Sequence, residues 1–184
     1  IEDLAVDWVM AMQLNTELKN KDTPHFVFLD IDELTYRQWE EPLITPRDKL
    51  LNLIKFAVSG QPQIILVDIE LSYRTDRNSA TLTPADQALQ NYLANYDATV
   101  CTGGKVCPHL VLVRSSHPVS EEAGHRQQRS SFLDDAVKSS QHIHWASTLF
   151  ELEENRIVRR WRLCEAEYAK TELTLPSVQL LARE

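Results

Sequence analysis

The chain has 184 residues, which at about 150 residues per domain makes it one domain, or one with a large insertion, able to bury a sizeable core. Hydrophobic and charged fractions of 43% and 25% exclude a disordered or collagenous chain, and 19 basic against 27 acidic side chains, net −8, exclude a nucleic-acid binder that relies on phosphate neutralisation. Four scattered glycines (Gly60, Gly103, Gly104, Gly124) give no phosphate-cradling loop, and three cysteines without a CxxC pair give no zinc ribbon. The sequence starts at Ile1 and has no run of 18 apolar residues, so it reads as an excised or processed piece that neither spans a membrane nor directs export.

Leu4, Trp8, Ala11, Leu14 and Leu18 have helical spacing, which predicts an amphipathic N-terminal helix within residues 1–20. His25 to Ile31 is a β-branched and aromatic run that predicts a buried strand. Thr45-Pro46-Arg47-Asp48 supplies a cap, a proline and an acid ahead of Leu50, Leu51, Ile54 and Val58, a helix that stops at Gly60. Ile64 to Ile69 is a second uniform apolar run, so strand, helix and strand make a parallel βαβ unit.

Residues 72–82 are polar and form a loop of functional length; Thr83-Pro84-Ala85-Asp86 then has the shape of a capping box, with Leu89 and Leu93 in the buried stripe. His109 to Val113 predicts a third strand, which closes a βαβ core over 25–114. A variable polar loop and helix occupy 115–141. His142 to Ala146 and Arg156 to Cys164 read as strands of an antiparallel addition, and Pro176 to Ala182 as a closing helix within 142–184. The expected architecture is α/β, a three-layer sandwich whose mainly parallel sheet is extended by antiparallel C-terminal strands.

The carboxylates then acquire a place. Asp30 and Asp32 end the first expected strand and Asp68 and Glu70 the second, so four acids gather at the carboxyl edge, where open α/β sheets hold ligands. Clustered acids raise one another's pKa unless cations answer them. Arg47, in the first helical turn, is delivered to that edge; Arg159 shares the apolar face of Ile157, Trp161 and Leu163 and needs a partner. Structural pairing, a binding pocket and a metal site all remain open for this group.

In order along the chain, Phe28-Leu29-Asp30-Ile31-Asp32-Glu33-Leu34-Thr35, Thr45-Pro46-Arg47, Leu66-Val67-Asp68-Ile69, and Asp86 with Leu89 resemble the type-two CHASE domain of bacterial signalling receptors. Ile157-Val158-Arg159-Arg160 and Pro176-Ser177-Val178 continue the resemblance, and the family's recurrent polar positions fall on Asp32, Arg47, Asp68, Asp86 and Arg159. Glu154-Asn155-Arg156 departs from the glycine usual before the family's Arg strand, while the Cys101–Cys107 segment and the 115–130 loop look like local elaborations.

The resemblance implies a periplasmic or extracytoplasmic, non-catalytic input domain of an inner-membrane receptor. It would sit between transmembrane helices, sense an unknown small molecule or protein, and report to a cytoplasmic kinase, cyclase or phosphodiesterase. No nucleic acid, metal or cofactor is expected, and homodimer formation is left open. In the oxidising compartment so implied, Gly103 and Gly104 allow the reversal that a Cys101–Cys107 disulfide needs, and Cys164 is left over, expected to be buried.

Two other functions compete. Asp30-x-Asp32 resembles the nucleophile motif of haloacid-dehalogenase-like Mg-dependent phosphatases, although Leu34 stands where Thr or Val belongs. A periplasmic protein-interaction module of the same fold is the other. His142 and His144 share a strand face at a spacing that binds zinc if a third ligand approaches, a weaker reading than two partly buried histidines.

Overall fold

Arg47–Ser59 forms the longest helix among the described residues (α2 here), and a computed structural model of the chain describes it together with the rest of residues 25–77, 79, 81–102, 106–118, 126–147, 164–166 and 174–176. A short helix precedes it, α1 over Glu33–Gln38. Pro46, not Thr45, stands at the N-cap, so Arg47 becomes the first helical residue. Leu50, Leu51 and Ile54 recur on one face of α2 and are buried there. The helix ends at Gly60 as its composition predicts, yet Gly60 keeps an ordinary φ of −74°, and Gln61, at φ 53°, takes the left-handed position.

The strands β1 (Ile64–Val67), β2 (His109–Val113) and β5 (Ile143–Ala146) form one parallel sheet in the order β1-β2-β5. Between β1 and β2 run α3 (Pro84–Ala94) and α4 (Tyr96–Val100); between β2 and β5 come a hairpin, β3 (Ser116–Pro118) with β4 (Arg126–Gln128), and α5 (Asp134–Ser139). Thr83 and Asp86 close the predicted capping box on α3, each side chain bonding the other residue's backbone N–H.

Strand alternation sends Ile65, Val67, Leu110, Leu112 and Ile143 to one sheet face, where Leu50, Leu51 and Ile54 of α2, Leu89 and Leu93 of α3, and Ala136 and Val137 of α5 complete the core. Leu89 and Leu93 are fully enclosed, each contributing about 1.5–3 kcal/mol by burial. The Tyr96 hydroxyl, also enclosed, donates to the Pro108 carbonyl at 3.0 Å and so ties α4 to the strand that follows.

Several expectations are corrected. Residues 25–30 adopt no regular structure, pair with no strand among the described residues, and leave Phe26 75% and Phe28 87% exposed; a β-prone composition alone does not make a strand. The parallel βαβ unit therefore lies between β1 and β2. The outer edge of β1 is unpaired among the described residues, and Ile64 (36% exposed) and Leu66 (46%) point to the sheet face opposite the core, away from buried Ile65 and Val67.

Residues 143–146 join the sheet parallel to β2, not as an antiparallel addition. The antiparallel element is a separate pair, β6 (Cys164–Ala166) with β7 (Thr174–Pro176), linked to β5 where Ser147 N–H donates to the Pro176 carbonyl at 3.0 Å. Pro176 itself lies in a strand, where the sequence predicts the first residue of a helix. The described residues show helices on one sheet face, and the third layer of the expected sandwich is not among them. The helix within 1–20, Arg159 with its strand, the 154–155 turn and residues 177–182 lie outside the described residues, as does the Cys164 side chain. No helix of the described residues is long and apolar enough to cross a membrane.

Candidate functional site

At the carboxyl edge of the sheet a buried pair anchors the surrounding loops. Arg47 and Asp86, each first-turn residues of their helices, are 1% and 0% exposed, with Nε 3.9 Å from Oδ1. Arg47 Nη2 donates to the Tyr73 carbonyl at 2.8 Å and to the Glu70 carbonyl at 3.4 Å, fixing the chain that leaves β1. Asp86 accepts from Thr75 N–H and Oγ1 (2.9 Å for the hydroxyl) and from Thr83 Oγ1 at 2.8 Å. The carboxylate thereby serves as helix cap, loop anchor and counter-ion together. Desolvation lowers the Arg47 pKa, and the negative charges of Asp86 and Glu70 act against it.

Above the pair lies a cleft of about 440 Å³, lined by Ser72, Tyr73, Arg74, Arg77, Ser131 and Phe132 and also by Ser130. The Tyr73 ring is flanked by two cations, Arg77 at 3.9 Å and Arg129 at 5.3 Å from its centroid, and Arg129 donates to its hydroxyl. Ser131 Oγ donates to the Leu71 carbonyl at 2.7 Å, which joins the two loops that form the walls. Glu70 accepts from Ser72 N–H at 2.8 Å. Burial pushes the Glu70 pKa up, but bonds from Ser115 and Ser72 and the charge of Arg129 outweigh it and hold the carboxyl below its ordinary value.

The residues named from sequence thus separate. Arg47, Glu70 and Asp86 meet around the chain leaving β1. Asp32 instead caps α1, accepting from Thr35 N–H at 2.8 Å, and those Thr35 bonds lower its pKa. Asp30 and Asp68 are exposed, and among the described residues no ion pair or hydrogen bond links either of them, or Asp32, to Arg47. The segment 25–30, not being a strand of the sheet, does not deliver its acids to the edge as an aligned strand end.

Sequence reasoning missed Tyr73, Arg77 and Arg129, which sit in irregular loops, and it missed Arg114. That residue directly follows β2, lies over the Trp145 ring at 4.5 Å, donates to Gln128 Oε1 at 2.9 Å and pairs with Asp134. Its place one residue past a buried strand is the same signal that pointed to Asp68 and was legible in principle. The Cys101–Cys107 disulfide is present.

The model of the CHASE2 domain matches residues 1–184 of the chain. No curated protein and no solved structure matches it.

Proposed function

The chain belongs to the CHASE2 domain family, extracellular sensory domains of signalling proteins, and from that footing we propose that it senses a small oxyanion, phosphate- or carboxylate-bearing, in the cleft at the carboxyl edge of its sheet. The observation that carries this reading is the placement of Arg74 and Arg77 with Ser72 and Ser130 in the cleft wall of a chain whose net charge is −8, the Ser131 hydroxyl being committed to the Leu71 carbonyl. Guanidinium forks and hydroxyls are donors matched to oxyanions, and the volume falls within the range of small-ligand sites. Tyr73 holds Arg77 against its ring, which lowers the cost of ordering that cation on binding.

A ligand touching both walls would hold residues 72–77 and 130–132 together and favour the state that binds it. The domain would lie in the periplasm as part of an inner-membrane receptor, perform no catalysis itself, and pass the change through its terminal segments to a cytoplasmic kinase, cyclase or phosphodiesterase. Free and ligand-bound structures with no relative movement of the two termini would rule out that route.

The binding step is tested by thermal unfolding with inorganic phosphate or citrate against chloride at equal ionic strength. At about 100 times Kd a bound ligand adds about 2.7 kcal/mol, a rise of roughly 5–10 °C for a chain of this size. Arg77→Gln should remove most of it. Equal melting temperatures in all salts would refute an oxyanion site.

A further inference from the structure

The amino end of the same sheet carries a second group of side chains that the cleft does not use. Alternation places His109 and His144 on one sheet face, Nδ1 of the first 3.2 Å from Nε2 of the second, and His142 lies beside them with its ring 5.1 Å from that of His109 and tilted 44° to it. Asp97 comes from α4 and Cys101 from its C-cap, one helical turn on, and Cys107 returns to them through the disulfide.

His142 Nδ1 stands 3.1 Å from Asp97 Oδ1 and 3.5 Å from Cys101 Sγ, and Cys101 Sγ is 3.9 Å from that same oxygen. The ligating atoms of Cys101, Cys107 and His142 all lie within 4.8 Å of one another. A tetrahedral zinc ion, with bonds of about 2.0–2.3 Å, needs ligand-to-ligand edges of roughly 3.3–3.8 Å. The three observed separations bracket those edges, so imidazole, carboxylate and first sulfur already occupy three corners. Ser140 Oγ at 2.7 Å and Gln141 N–H at 2.8 Å fix the Asp97 carboxylate from behind, as outer partners of metal ligands do.

The geometry points to a redox-gated metal site: with the Cys101–Cys107 bridge open, both thiolates, His142 Nδ1 and Asp97 bind a zinc-class divalent cation, and with the bridge closed they do not. Disulfide sulfurs are poor ligands, whereas thiolates favour zinc. A dithiol reductant gives two electrons and two protons to the bridge and leaves as its own disulfide. The freed Cys107 sulfur moves from bonding distance to a tetrahedral edge. Metal entry then releases the two thiol protons, and the His142 ring, which donates from Nδ1 to Asp97 in the metal-free site, gives that proton to solvent and carries one on Nε2 once Nδ1 binds the ion.

The test is titration of the whole chain with Co(II), zinc's spectroscopic stand-in, before and after reduction by a phosphine, which takes up the bridge's oxidation as phosphine oxide with water supplying the protons. Reduced protein should bind one equivalent, with thiolate-to-cobalt charge-transfer absorption and the strong visible bands of tetrahedral Co(II), all reversed by Zn(II); oxidised protein should show neither. Cys107→Ser should abolish the charge-transfer signal, and His142→Ala should weaken binding more than about 10-fold. Asp97→Asn, with folding followed by circular dichroism, gives a second reading in which affinity falls while the thiolate signal stays. Absence of the signal in reduced wild type, or a His142→Ala titration identical to wild type, would overturn the site.

Discussion

Arg47 Nε faces Asp86 Oδ1 across 3.9 Å with both side chains shut off from solvent. A buried guanidinium without its counter-charge is costly, and removing one partner of such a pair costs about 3–5 kcal/mol. Asp86→Ala should lose at least that, because Thr75 and Thr83 lose their acceptor as well. Asp86→Asn, which keeps an oxygen at the cap, should lose less. Urea denaturation midpoints at constant slope would check the order; equal stability of wild type and Asp86→Ala would show that the pair is not the anchor of this edge.

Gln61 holds φ 53° immediately after the Gly60 cap of α2. A non-glycine residue in that region costs about 1–2 kcal/mol, partly offset by the extra chain entropy glycine would lose. Gln61→Gly should therefore stabilise the domain by up to about 1 kcal/mol, a rise of about 2–4 °C in Tm by calorimetry.

Acid should loosen both ends of the sheet. Burial pushes Asp97 up, but bonds from Gln141, Ser140 and His142 prevail and hold it below its ordinary 3.8, as Glu70 is held below 4.5. For carboxyls depressed on folding, the added stability is complete above the unfolded value and is lost as pH falls through the folded one. Stability should thus be nearly flat down to about pH 5 and fall below it. The double variant Asp97→Asn with Glu70→Gln should show a shallower fall, measured by urea denaturation across pH 2.5 to 6 buffers; an unchanged slope would remove both groups from the acid response.

Sequence and structure agree where local chemistry decides. Thr83-Pro84-Ala85-Asp86 spells its capping box and Leu50, Leu51 and Ile54 their buried stripe, because cap and periodicity are set within one or two turns. The same rules fail over 25–30, where a β-prone composition says nothing about which edge pairs with it, and over Ile143–Ala146, whose direction in the sheet depends on β2. Of the site, Arg47 was legible from its place in the first turn of α2, although the strand expected before that helix does not form and it is β1, which follows, whose outgoing chain Arg47 holds. Its bond to the Tyr73 carbonyl, and Tyr73 stacked with Arg77, were not, since irregular loops carry no period from which contacts can be read.

The proposal that the cleft receives a small oxyanion is tested most directly by the amide NMR footprint of citrate added to the isotopically labelled chain at fixed ionic strength. Saturable shifts confined to residues 72–77 and 129–132, and lost in Arg77→Gln, are the predicted result. Shifts scattered over the surface without saturation, or centred on His142 at the other end of the sheet, would contradict it.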